Sequence, residues 1–131
     1  MKLKLYFLTL FIFLGLDAFW LGWVAPTFYR SRIGHLMAEE VNLLAAGFFY
    51  LIFVGGVTVF VVGPGVGGEG MRSVVLRGAW FGLVAYATYD LTNLATLRDW
   101  SMTVTMVDML WGTVLTAATS AVSVWAGRRL L

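Results

Sequence analysis

The run LYFLTLFIFLGLDAFWLGWVA, residues 5–25, holds 21 positions and a single charged side chain, Asp17. An α-helix rises about 1.5 Å per residue, so roughly 20 apolar residues cross the hydrocarbon of a bilayer. The run therefore predicts a membrane-crossing helix with a carboxylate inside it. Such a group costs about 2.5–3.5 kcal/mol at a helix centre on insertion scales, so it is normally turned inward and often serves a site. Two more aspartates, Asp90 and Asp108, lie in comparable apolar stretches.

The opening Met1-Lys-Leu-Lys, followed by apolar residues, could begin a cleavable secretory signal. The run continues to Ala25, however, with Asp17, Trp20 and Trp23 inside it, and no small-residue cleavage site is evident. A retained first helix is the better reading. Working outward, further spans are expected at about residues 41–62, 74–97 and 102–126. The expected fold is all-α: an integral membrane four-helix bundle, with residues 1–131 as one domain. Pro26 is expected to close the first helix, and Gly63-Pro64-Gly65 the second. Glu39 and Glu40 precede the second helix, where its dipole favours acid. Asp99 or Ser101 can cap the fourth, and Arg128 and Arg129 suit its C-terminal end.

Composition points the same way. The chain is 60% hydrophobic and 12% charged, with a mean hydropathy of +0.86, whereas a soluble domain carries about 25% charged residues. A net charge of +2 without a basic run interleaved with aromatics gives nucleic-acid binding no support. Cysteine is absent, which excludes disulfides, thiolate catalysis and Cys-based metal sites.

Charge asymmetry sets an expected orientation. Lys2, Lys4, Arg72, Arg77, Arg128 and Arg129 fall on one side; Arg30, Arg32 and Arg98 fall on the other, offset by Glu39, Glu40 and Asp99. The positive-inside rule then places both termini in the cytoplasm. Small residues at helical spacing predict close helix contacts: Gly78 with Gly82 on the third helix, Gly112 with Thr116 on the fourth, and Gly15, Ala18 and Gly22 on the first. Asp17-x-x-Trp20 is echoed by Asp108-x-x-Trp111, an echo too short to claim a duplication.

Counted from the outer helix ends, Asp17, Asp90 and Asp108 all fall roughly 9–12 Å deep at 1.5 Å per residue. One polar site in the outer half of the membrane is the expectation. Tyr86, Tyr89, Asp90 and Asn93 share a helical face. Asp108 and Trp111 form a matching stripe with Ser101 and Thr105, and Asn42 and Tyr50 add polar groups from the second helix. Trp20 and Arg30 complete the candidate ligand set. Crowded carboxylates cannot all stay charged cheaply. The cluster is therefore expected to hold a proton, or a cation such as an inward-folding Arg30, Arg32 or Arg98, or a bound ligand. The alternative is that the aspartates only specify packing, although interhelical polar contacts average just about 0.6 kcal/mol.

Other signals are weaker. Gly65-Val-Gly-Gly-Glu-Gly70 matches a dinucleotide fingerprint by letter but follows a membrane helix, so it is read as a turn. His35 is the only histidine and is read as a surface residue; no metal-ligand spacing is present, and no cofactor is expected. No Ser/His/Asp arrangement is plausible, which leans away from an enzyme. The connector 26–40 mixes Phe28, Tyr29, Ile33, Leu36 and Met37 with Arg30, Arg32 and His35. It suits either an ordinary amphipathic connector or a short helix capping the pocket.

Four blocks carry a family resemblance: Leu16-Asp17-x-x-Trp20-Leu21-Gly22, Phe28-Tyr29-Arg30-x-x-Ile33-Gly34, residues 89–100 beginning Tyr-Asp-Leu-Thr-Asn, and Val107-Asp108-x-x-Trp111-Gly112. They resemble a bacterial family of small membrane proteins known as domain of unknown function 2177. The resemblance implies a multi-pass protein of the bacterial cytoplasmic (inner) membrane and supplies no activity. Three functions then compete. The first is binding or transport of a small cation, amine or proton-coupled solute, with a homo-oligomer as the transporting form. The second is lipid-headgroup binding or modification. The third is a structural subunit of a larger membrane complex. Membrane lipid is a partner in each.

Overall fold

The computed structural model describes residues 2–131, and every regular element among them is helical. The order is α1 (Lys2–Trp23), α2 (Ala25–Ile33), a 3-10 turn (Gly34–Leu36), α3 (Leu43–Val57), a π-turn (Thr58–Val62), α4 (Gly63–Val66), α5 (Met71–Thr96) and α6 (Met102–Leu130). Three helices are long and apolar enough to cross a membrane: Lys2–Trp23, the continuous helix Leu43–Val66, and Met102–Leu130. The expected third span, α5, has 26 residues and the length to cross. Its Arg72, Arg77, Asp90, Asn93 and several Tyr and Thr residues keep it short of the apolar character of the others.

Both prolines act differently from the sequence expectation. Pro26 does not close a helix but opens one. α1 ends at Trp23, and α2 starts at Ala25 with Pro26 in its first turn, where the missing N–H goes unnoticed. Val24 N–H still reaches the Trp20 carbonyl at 2.9 Å, and Phe28 N–H the Val24 carbonyl at 3.0 Å. Gly63-Pro64-Gly65 does not end its helix either. The chain widens into a π-turn, in which Gly63 N–H bonds the Thr58 carbonyl, and then runs on to Val66. A proline ring clashes with the carbonyl four residues back, and a wider turn makes room for it. The actual stop is Gly68, at φ +125°, a conformation that favours glycine. Arg128 seals this stop by donating to the carbonyls of Gly65 (2.7 Å) and Glu69 (2.6 Å), so it serves the neighbouring helix end and not only its own.

α5 and α6 pack antiparallel along a seam that advances four residues at a time. Gly78 lies against Ser120, Gly82 against Gly112 and Thr116, and Gly112 under the Tyr86 ring. Val74 and Val124 meet at the end nearer the termini, where both crowd Gly65. A methyl group added at Gly78 would come within 2.7 Å of Ser120 Oγ, so the backbones approach as closely as glycine allows. The first helix behaves otherwise: nothing lies within 4 Å of a Cβ added at Gly15 or Gly22, so its small-residue stripe is no contact within this chain.

Polarity is arranged inside out. Leu3, Phe7, Phe11, Phe48, Ile52, Phe60 and Leu110 are exposed, while Thr9, Asp17, Thr58, Asp90, Thr105, Thr116, Thr119, Ser120 and Ser123 are buried. Water as the sole solvent would favour the reverse. The apolar core proper is built around Phe13, Val54, Val57, Val62 and Leu115. A second, smaller cluster of Tyr29, Ile33 and Val104, flanked by Trp20, Phe28 and Trp100, sits beneath α2.

Candidate functional site

Between these two clusters lies a cavity of about 230 Å³ lined by residues from α1, α2, α5 and α6. Asp17, Trp20, Tyr86, Tyr89, Asp108 and Trp111 line it, and α2 closes one side with Ala25, Tyr29 and Ile33. The connector thus contributes one wall of the pocket.

The D-x-x-W echo has a spatial meaning. The two indoles stack face to face, with centroids 4.3 Å apart and planes 7° from parallel. Each then serves the other helix's aspartate. Trp111 Nε1 donates to Asp17 Oδ1 at 3.3 Å. Trp20 Nε1 donates to the Tyr29 hydroxyl at 3.0 Å, which donates to Asp108 Oδ1 at 2.7 Å. The second oxygen of Asp17 accepts from the Tyr50 hydroxyl at 2.6 Å. Burial, reinforced by Asp108, pushes the Tyr29 phenol above its ordinary range, so it remains a donor.

Asp90 differs. It is fully buried, at 0% exposure, and neither of its oxygens has a hydrogen-bond partner. The Asp108 carboxyl of α6 neighbours it, with no hydrogen bond between the two. The α5–α6 seam explains the meeting: one further step of four from Tyr86 and Gly112, away from the termini, brings Asp90 level with Asp108. Two ionised carboxylates offer only acceptors. A proton or a cation between them would satisfy both; Asp108 lines the cavity, Asp90 is not part of that lining, and no Lys, Arg or His lines it.

The remaining sequence candidates lie elsewhere. Asn42 is exposed and caps α3, its Oδ1 accepting from Ala45 N–H at 3.1 Å, so it contributes nothing to the cavity. Arg30 is exposed and does not fold inward, because the α2 face that turns to the pocket presents Tyr29 and Ile33 instead. Asn93 is half-buried and outside the lining, one turn beyond Asp90. His35 is exposed and lies 3.7 Å from Asp99, linking the α2–α3 and α5–α6 connections. Among the described residues no three His, Cys, Asp or Glu side chains are grouped so as to hold a metal ion. Asp17 accepts from Trp111 and Tyr50, Asp108 accepts from Tyr29, and Asp90 has no donor. In the sequence Tyr29 is one of several aromatic and apolar residues of the connector, and its role depends on the fold-back of α2, which leaves no periodic signal.

A family model described as "Predicted membrane protein (DUF2177)" matches residues 2–125. The chain belongs to this family. It is a membrane protein family of unknown function, so membership fixes the membrane setting and leaves the pocket's task open. Searches of curated proteins and of solved structures return no match.

Proposed function

We propose that this is a multi-pass protein of the bacterial cytoplasmic membrane, its four long helices crossing as one bundle with both termini inside. Its outer-half pocket binds a small singly charged cation, a protonated amine or a proton-coupled solute. The observation that carries this reading is Asp90: fully buried, without a donor on either oxygen, and held against a second carboxyl. As a packing device the pair is poor, since interhelical polar contacts contribute only about 0.6 kcal/mol on average and the Asp90 oxygens are unsatisfied. A single positive charge suits two facing carboxyls with one neutral donor, and the aromatic walls of Trp20, Tyr86 and Trp111 suit an organic ammonium. The continuous α5–α6 seam supports α5 as a fourth span, because a helix locked along α6 shares its path. Four helices are few for alternating access, so transport would require a homo-oligomer.

The test is complementation of a strain lacking the gene by Asp17→Asn, Asp90→Asn and Asp108→Asn, each scored alongside its thermal stability in detergent. The reading expects Asp90→Asn and Asp108→Asn to fold and fail to complement. Full complementation by all three would leave only a packing role.

A further inference from the structure

At the opposite end of α5 two hollows adjoin. One, of about 590 Å³, is lined by Arg72, Ser73, Leu76, Arg77 and Trp80 with Gly70. The next, of about 280 Å³, shares Arg77 and Trp80 and continues over Phe60, Phe81 and Val84. Together they make one groove with a cationic mouth and an apolar trough. Leu76, Trp80 and Phe60 are all exposed along it, at 58%, 67% and 63%. Tryptophan at such a boundary is characteristic of the membrane interface.

The charges at this end are not balanced. Lys2, Lys4, Arg72, Arg77, Arg128 and Arg129 face a single acid, Glu69. Glu69 is engaged with Arg77 at 3.2 Å, and Arg128 is occupied by backbone carbonyls. Arg72 makes no salt bridge and no side-chain hydrogen bond among the described residues. A guanidinium fork matches a phosphate oxygen pair, and the apolar trough beyond it matches an acyl chain.

We propose that this groove holds one anionic phospholipid, its headgroup phosphate at Arg72 and Arg77 and one acyl chain along Trp80, Phe60 and Val84. The site is separate from the aspartate pocket and rests only on the chain's being a membrane protein. Juxtamembrane arginines favour anionic headgroups electrostatically, and removing two should lower the preference roughly tenfold or more.

The experiment is native mass spectrometry of the purified full chain released from detergent containing equal amounts of dioleoyl-phosphatidylglycerol and dioleoyl-phosphatidylcholine. Wild type is expected to retain one phosphatidylglycerol in preference to phosphatidylcholine. Arg72→Gln/Arg77→Gln should lose that preference about tenfold, Arg72→Gln alone should lose part of it, and Arg98→Gln at the other end should keep it. Equal retention of the two lipids by wild type would overturn the proposal. So would an unchanged preference in both Arg72 variants, or an equal loss in Arg98→Gln. Asp90→Asn should leave the lipid preference intact, which separates this site from the pocket.

Discussion

Asp90 presents two acceptor oxygens to surroundings that hold no donor, and Asp108 beside it presents further acceptors. A buried unsatisfied polar group costs about 1–3 kcal/mol. Asp90→Asn supplies an N–H to that face while keeping the shape, so its expected effect on stability is neutral to about 1 kcal/mol favourable. Thermal unfolding in detergent reads this directly, and a loss of several degrees would argue that the charge itself holds the fold. Tyr29→Phe should act in the opposite sense. It removes the donor to Asp108 and the acceptor of Trp20 Nε1 together, at an expected cost of about 1–2 kcal/mol. The same melting assay checks it, with Tyr6→Phe, on the α1–α3 contact outside the pocket, as a comparison. At this scale the aspartates were legible because charge stands out in an apolar run. Their partners were only partly so: Trp111 and Tyr86 follow from helical spacing, while Tyr29 reaches Asp108 from 79 positions away through a folded-back connector.

Among elements, the α5–α6 seam makes the sharpest claim. Gly82 has Thr116 Oγ1 only 2.6 Å from where a Cβ would stand, with the Gly112 carbonyl closer still. Gly82→Leu must therefore push the helices apart, at the upper end of about 1–3 kcal/mol or beyond. It should also separate Asp90 from Asp108. Gly15→Leu and Gly22→Leu, on the open side of α1, should change stability by less than about 0.5 kcal/mol in the monomer. Unfolding of the three variants in parallel distinguishes a seam from an idle small-residue stripe. The sequence shows why the distinction was hidden. Gly78-x-x-x-Gly82 and Ala18-x-x-x-Gly22 have the same spacing, and spacing says that a helix can be approached, not which helix approaches it. The proline positions failed for a related reason. A break signal is local, but whether the chain stops or widens into a π-turn depends on what packs around it.

For the whole molecule, the inside-out polarity and the charge bias make one topological prediction. With cysteines introduced singly into the cysteine-free chain, an impermeant reagent added to intact cells should label Ser31→Cys and spare Ser73→Cys. The reverse pattern would invert the assignment. The all-helical, membrane-bound character was readable from run length and composition, because a hydrocarbon solvent leaves few choices. The assembly of one pocket from α1, α2, α5 and α6 was not, since it depends on which faces meet.

The central claim is that the Asp90–Asp108 pair holds a small positive charge. Calorimetric titration of the purified protein with sodium, ammonium and small primary amines tests it most directly, comparing wild type with Asp90→Asn and Asp108→Asn. The account predicts saturable binding of at least one of these cations to wild type, reduced tenfold or more in both variants, about 1.4 kcal/mol or greater. Equal binding by all three proteins, or none by wild type at saturating concentrations, would contradict it.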